Sequence, residues 1–534
     1  MDPVRVILDY HDRSKHHLRR YAAGPGYLDW ANQPDPFRRY RGAPRFELPL
    51  AAENLATSFN ALRAGRLPLP APLARDSIAI LFELSLAISA WKALRDTSWA
   101  LRCNPSSGNL HPTESYLVTS DLPGLEGGVY HYLSLDHVLE RRARWNVPAP
   151  ALTRGVLIGI ASIYWREAWK YGMRAFRYCQ HDCGHAIAAV SYAAASLGWQ
   201  TRMLDAAADQ DVAAVLGLDR TADFLHAERE EPDCLLWVGM GEPPVLDDLV
   251  TAARAASWSG SANRLSDEHV AWPDIDLAHE ATPKARTAPA EPAVPNAEFA
   301  PSTSHVDHAA ASIFRQRRSA VAFDGVTSIS AHEFYRMLEP LLLRPGTPPW
   351  NAWPWPPRVN LALFVHRVEG LEPGLYAFVR AHTALEPLKR AMLREWQWHK
   401  VGPAHLPLYQ LQRNDLRQPA QLVCCHQDIA ADGCYALGML ASFEDIQDAP
   451  WRYRRLYWEC GMIGQTLYLE AEAAGIRATG IGCFFDDEMH QLLGLEGHGW
   501  QSLYHFTAGG AVDDQRLTTL PAYGSRAPGP HARG

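Results

Sequence analysis

Apolar residues gather along this chain in two kinds of stretch, and both kinds occur twice. The first is a short apolar run closed by a glycine-rich turn. Residues 116–118 lead into Gly124-Leu125-Glu126-Gly127-Gly128-Val129-Tyr130, and residues 361–365 lead into Gly370-Leu371-Glu372-Pro373-Gly374-Leu375-Tyr376. Leu139-Glu140 then returns as Leu385-Glu386 in the same register. Each copy predicts a strand, a tight turn and a second strand beginning near the tyrosine. The second kind is longer and helical. Residues 177–220 align without gaps on 454–497. Arg177, Cys183, Gly184, Ala194, Gly198 and Leu216-Gly217-Leu218 meet identical partners in Arg454, Cys460, Gly461, Ala471, Gly475 and Leu493-Gly494-Leu495. Each copy predicts a helix of about thirteen residues between its two glycines, with Gly184-His185 at its start and Gly198 ending it in the left-handed conformation. One side of 185–197 is mostly alanine, which lets helices pack closely and predicts a buried central helix.

Two matches in the same order, so far apart, describe a duplicated domain rather than a solenoid. Between the copies, Pro283, Pro289, Pro292, Pro295 and Pro301 stand among Ala, Thr and Glu. That composition reads as a linker. The expected division is a first domain with an N-terminal extension over 1–250, a Pro/Ala-rich linker over 251–302 and a second domain over 303–534. A chain of 534 residues also exceeds what one hydrophobic core organises.

Composition narrows the function. The formal net charge of -8 argues against nucleic acid as a main partner. No apolar run is long enough to span a bilayer, and residues 1–21 hold no signal-peptide core. A cytoplasmic protein with no membrane partner is expected. The nine cysteines are scattered and form no CxxC pair, which predicts reduced, mostly buried thiols. Phosphate loops, GxSxG elbows, HExxH and GxGxxG are all absent. His181, Asp182, Cys183 and His185 have metal-ligand chemistry, but Met462 replaces His185 in the second copy. A structural role is preferred, and no metal site is expected.

Three short motifs carry candidate chemistry. Arg317-Arg318-Ser319 follows a helix-like stretch over 309–316 and offers forked, charge-assisted donors to an anion, or a solvated surface. Pro105-Ser106-Ser107-Gly108-Asn109 fixes a turn whose hydroxyls and amide hydrogen-bond a flat heterocycle or their own backbone. Gly480-Ile481-Gly482 permits close backbone approach to a ligand. Arg516, downstream of Gly509-Gly510, is a further cation that faces either a ligand or its acidic neighbours Asp513 and Asp514.

Taken together these motifs resemble the nitroreductase family. The resemblance implies an α+β fold: tandem nitroreductase-like domains forming an intramolecular pseudo-dimer. It also implies FMN as cofactor at the junction. One half would give Arg317, Arg318, Ser319, Gly480, Gly482 and Arg516, and the other Pro105, Ser106, Ser107 and Asn109. The matching register of the second half, Asn351-Ala352-Trp353-Pro354-Trp355, has lost the serine-rich loop, and residues 46–76 hold no Arg-Arg-Ser. One composite FMN site and one dead site are therefore expected. The run from Trp350 to Pro357 is expected as a lid or wall over the dead site.

A narrower resemblance is to the fused SagB-type branch, the azoline dehydrogenases. It is carried by Tyr10-His11, Lys15-His16, Asp35-Pro36-Phe37 to Tyr40, Lys170-Tyr171-Gly172 with Arg174, Arg177-Tyr178 and Gly184-His185. It implies oxidation of azoline rings in a modified peptide by hydride transfer to flavin. Lys170 and Tyr171 would be the catalytic, proton-handling pair, one of them with a lowered pKa. The substrate would be a modified peptide or small molecule, with a cyclodehydratase complex as partner. Two alternatives remain open: an NAD(P)H-dependent reductase of nitro compounds, quinones or flavin, and a degenerate flavin-fold scaffold in a biosynthetic complex.

Overall fold

The computed structural model describes residues 2–147, 152, 154–291, 299–303 and 306–524. In the first half, β1 (Ile88–Leu94) and β2 (Thr97–Arg102) precede β3 (Thr113–Thr119), β4 (Gly128–Leu133), β5 (Val138–Arg144) and β6 (Gly155–Ser162). Helix α1 (Ala175–Ser196), β7 (Gln200–Met203), α2 (Asp209–Leu216) and β8 (Glu231–Gly239) follow. The second half opens with α3 (Ala310–Gln316) and repeats the plan. It has β9 (Val359–Val365), β10 (Gly374–Phe378), β11 (Leu408–Arg413), β12 (Tyr435–Ser442), α4 (Arg452–Ala473), β13 (Arg477–Ile481), α5 (Asp486–Leu493) and β14 (Trp500–Gly509). The last strand, β15 (Thr518–Leu520), crosses back to pair with β1 of the first half.

The two large sheets share one topology. The first runs β5-β4-β3-β6-β8-β7 and the second β11-β10-β9-β12-β14-β13, all neighbours antiparallel. The fold is thus α+β in two related halves. Both predicted strand–turn–strand units are present. No helix among the described residues is long and apolar enough to cross a membrane.

The central helices differ from expectation. Each runs for 22 residues, straight through the glycine read as its start. The reason is packing: α1 and α4 cross at these glycines. A Cβ on Gly184 would collide with the Trp458 carbonyl, and one on Gly461 with the His181 carbonyl. Glycine is costly in a helix interior, but here it lets two backbones touch. The helix-ending glycines behave as predicted, Gly198 at φ 74° and Gly475 at φ 73°.

The crossing is reciprocal. Arg177 of α1 pairs with Asp486 of α5 at 2.8 Å, and Arg454 of α4 pairs with Asp209 of α2 at 2.6 Å. Each aspartate opens the helix after its central helix, so residue i meets j′ and j meets i′. That is the contact rule of a two-fold interface.

Of the stretch 251–302, residues 251–291 are more ordered than a linker. They hold the end of a helix (Leu246–Ala255), short strands at Ser257–Trp258 and Ser261–Ala262, and a helix (Pro273–Ala281) that buries Ile275 and Ala278. Beyond it, Lys284 Nζ donates to the Ala207 carbonyl at 2.8 Å, and Arg286 pairs with Asp211 and Asp247. The segment lies along the first half because its charges and amides find partners there, which proline content does not reveal. Pro292 and Pro295 lie outside the described residues.

Candidate active site

The three motifs meet in one cavity of about 470 Å³ between the halves. The first half contributes Pro105, Ser106, Ser107, Gly108, Asn109 and Tyr171 to its wall, and the second half Arg317, Arg318, Ser319, Gly480 and Gly482. The volume is in the range of cofactor pockets.

The cationic end is built on α3. The helix stops at Gln316, and Arg317 is buried beneath the ring of Tyr468, its guanidinium carbon 5.0 Å from the ring centre. Arg317 Nε and Nη2 donate to the carbonyls of Cys103 and Arg102, both at 2.9 Å. Its Nη1 is buried with no hydrogen-bond partner. Arg318 donates to Ser89 Oγ at 3.0 Å and to the Arg315 and Arg317 carbonyls. Among the described residues, neither guanidinium is hydrogen-bonded to a carboxylate. Burial, then repulsion from Arg317, pushes the Arg318 guanidinium down to about 10, and burial lowers Arg317 too. Two under-neutralised cations and an orphaned donor suit an anion such as a phosphate.

Arg516 does not join them. Its side chain is 79% exposed and pairs with Asp514 at 2.7 Å, the acidic-neighbour alternative. Besides Lys92, the cation that lines the cavity there is Arg477, paired with Asp513 at 2.9 Å. It was hidden in the sequence because nothing marks which side of β13 it takes.

The serine-rich loop is held largely by its own protein. Asp182 of α1 accepts from Ser107 N at 3.1 Å and from Ser107 Oγ at 3.1 Å. Ser106 Oγ accepts from His111 N at 2.8 Å, and Asn109 Nδ2 donates to the Ala100 carbonyl at 2.9 Å. Gly108, Asn109 and His111 all have φ between 53° and 60°. Such backbone is strained for the two non-glycine residues and persists only where its surroundings hold it. A Cβ on Gly108 would strike the Tyr171 hydroxyl.

Gly480 lies within β13, paired with Phe506. Its N–H donates to Tyr468 OH at 2.9 Å, and the same hydroxyl bonds Ser319 Oγ at 2.8 Å. The Gly480 amide is thus committed to protein. The glycines are required by crowding tyrosines: a Cβ on Gly480 would collide with Tyr504, and one on Gly482 with Tyr178.

Lys170 and Tyr171 end the helix Tyr164–Tyr171, where Gly172 turns the chain at φ 53°. The Lys170 ammonium stands 5.2 Å from the Tyr171 ring centre, and both side chains flank Gly108. Burial, then the nearby Glu167 carboxyl, holds the Tyr171 phenol well above its usual 10. The lowered pKa expected of a base is therefore not found at Tyr171, which stays a hydrogen-bond donor.

Two buried acids stand behind the loop; the sequence weighs Asp182 only as a metal ligand and does not mark Glu167. Burial raises Asp182 to about 7, against the opposing pull of the serine hydrogen bonds. Glu167 is fully buried, and neither oxygen has a hydrogen-bond partner within normal distance, Ser106 being a weaker contact. Burial, then Asp182, raises it well above the carboxylate range. On paper both look like polar positions of ordinary helices. His181 stacks on Tyr504 at 4.1 Å, and His185, which also lines the cavity, meets Tyr504 OH through Nε2 at 3.2 Å.

The position related by the internal two-fold is built differently. Ser191 and Gln200 stand where Tyr468 and Arg477 do in the aligned copy, and both hydrogen-bond Asn351, at 2.6 Å and 3.2 Å. Trp350, Trp353 and Trp355 are buried beside it. The tryptophan-rich run is thus core rather than a lid.

Comparison with known proteins bears on the fold and on kinship over parts of the chain. Residues 374–510 match the model of the nitroreductase family. The trifolitoxin-processing protein TfxB of Rhizobium leguminosarum bv. trifolii is 30% identical over 197 residues, 33% of this chain and 53% of that protein. A candidate nitroreductase of Methanocaldococcus jannaschii is 31% identical over 122 residues, 21% of this chain and 62% of that protein. The chain thus spans between half and two thirds of the length of these relatives. A crystal structure of a candidate nitroreductase from Anabaena variabilis superposes with a TM-score of 0.68 at 19% identity, covering 95% of this chain and 99% of that one. That likeness shows the fold: a nitroreductase fold over nearly the whole chain.

Proposed function

We propose that this chain is an FMN-dependent oxidoreductase that oxidises azoline rings of a modified peptide. The observation that carries the reading is the shared cavity. Motifs that resemble the two complementary parts of a flavin site, one from each half, line it together. The residues fit the cofactor: Arg317, with its unpaired Nη1, and Arg318 suit the phosphate, while Ser319, Asn109 and the Gly482 backbone suit the ribityl chain and ring edge. Bound FMN would supply the two-electron acceptor. Lys170, which stands beside Tyr171 behind Gly108 and not in the cavity wall itself, would take the proton that leaves the ring carbon, and Tyr171, protonated, orients the ring as a donor. Kinship to a trifolitoxin-processing protein supports a peptide substrate. A cyclodehydratase that hands over the azoline follows from the SagB-type resemblance.

The test is to load the protein with FMN and supply a thiazoline-bearing peptide. Loss of two hydrogens by mass, abolished in Lys170→Ala, is expected. An unchanged peptide, with flavin that NAD(P)H reduces and quinones reoxidise, would move the assignment to a reductase.

A further inference from the structure

On the far side of the serine-rich loop lies a second, larger hollow of about 1100 Å³. It shares Trp99, Gly108, Asn109 and His111 with the first cavity, so a thin wall of loop and strand separates the two. Strand β2 serves both. Leu101 and Arg102 face the first cavity, and Thr97, Ser98 and Ala100 face the groove.

Three features describe what the groove would hold. The first is charge: Arg39, Arg41, Arg45 and Arg264 line it. Arg39 is matched by Asp35 at 2.5 Å, and Arg45 by Glu140 at 3.0 Å and Asp136 at 3.4 Å. Arg41 and Arg264 are exposed and form no ion pair among the described residues; Arg264 donates to the Asp267 carbonyl instead. The ribbon that pairs Arg41 with Ser261 fixes their placement. The second is an aromatic surface: Trp30, Trp91 and Trp99, with Trp30 67% exposed and Phe37 buried beneath. The third is an open strand edge. β2 lies at the end of its sheet, with only β1 beside it among the described residues. Asn109 closes that edge at Ala100, and Thr97–Trp99 has no strand beyond it. Unpaired edges accept extended peptides by adding a strand, and arginines pair with carboxylates.

We infer that this groove binds an extended, acidic segment of the peptide substrate and presents the reacting ring past Trp99 to the cavity. The inference rests on the proposed function and adds the class of sequence the substrate carries. The segment adds to the β2 edge, its carboxylates meet Arg41 and Arg264, and its apolar side chains lie on the tryptophans. A nucleic acid suits the groove less well, because only Arg41 and Arg264 of its arginines lack a carboxylate partner, and a run of backbone phosphates needs a broader basic surface.

The test is fluorescence anisotropy with the FMN-loaded full chain. The probes are a labelled peptide alternating Glu with Ser and Phe, its counterpart with Lys for Glu, and an oligothymidylate. The Glu peptide should bind best, weaken with salt, and lose about tenfold or more in affinity in Arg41→Glu/Arg264→Glu. Flavin content and melting temperature should be unchanged, since both arginines are exposed. Equal binding of the Glu and Lys peptides, preference for the oligothymidylate, or an unaffected double variant would overturn the inference. Failure of both proteins to take up FMN, with selective Glu-peptide binding intact, would sink the flavin reading and leave the groove assignment standing.

Discussion

Arg317 Nη1 is buried without a partner, and a desolvated guanidinium donor in that state costs free energy until an acceptor meets it. If a phosphate is that acceptor, Arg317→Ala should weaken FMN binding by about 1.5–3 kcal/mol, roughly tenfold to hundredfold. Fluorimetric titration of the apoprotein would measure it, and unchanged affinity would remove Arg317 from the site. Arg516→Ala should change nothing, because its side chain points into solvent beside Asp514. Both arginines stood out in the sequence, yet only tertiary structure sets which one faces the cavity. Contiguous motifs such as 105–109 and 317–319 were legible because their residues act together locally. Asp182 and Glu167 were not, because burial makes them unusual and burial is not written in their spacing. With Asp182 raised to about 7, the folded chain keeps a proton that the unfolded chain releases above its usual 3.8. This group therefore makes stability fall as pH rises from about 4 to about 7. Asp182→Asn should flatten that decline in melting temperature; an unaltered slope would mean Asp182 titrates normally.

At the scale of elements, the two central helices define the molecule. Their alignment in the sequence was correct residue for residue, and it identified Gly184 and Gly461 as counterparts. Their purpose was misread, since glycine as a helix starter and glycine as a crossing point look alike without the partner helix. The physical difference is testable. Gly184→Ala would gain helix propensity if the glycine merely began a helix. At a backbone crossing it should cost about 2 kcal/mol or more, read as a lowered denaturation midpoint. The reciprocal pairs Arg177–Asp486 and Arg454–Asp209 were invisible as pairs, although all four residues lay in the aligned segments. Proline content likewise concealed the helix Pro273–Ala281, whose buried Ile275 and Ala278 tie it to the first half.

At the scale of the whole molecule, duplication has produced two halves with one topology and unequal junctions. One junction gathers cations, glycines and the strained loop around a cavity. Its symmetry mate is occupied by Asn351 and buried tryptophans, with Ser191 and Gln200 in place of Tyr468 and Arg477. That asymmetry predicts a single flavin for two homologous halves. FMN released by denaturation and quantified against protein, after saturation and removal of excess, tests that claim most directly. Close to one FMN per chain is the predicted result. Two would show that the tryptophan-filled junction also binds flavin, and none would contradict the flavin site altogether.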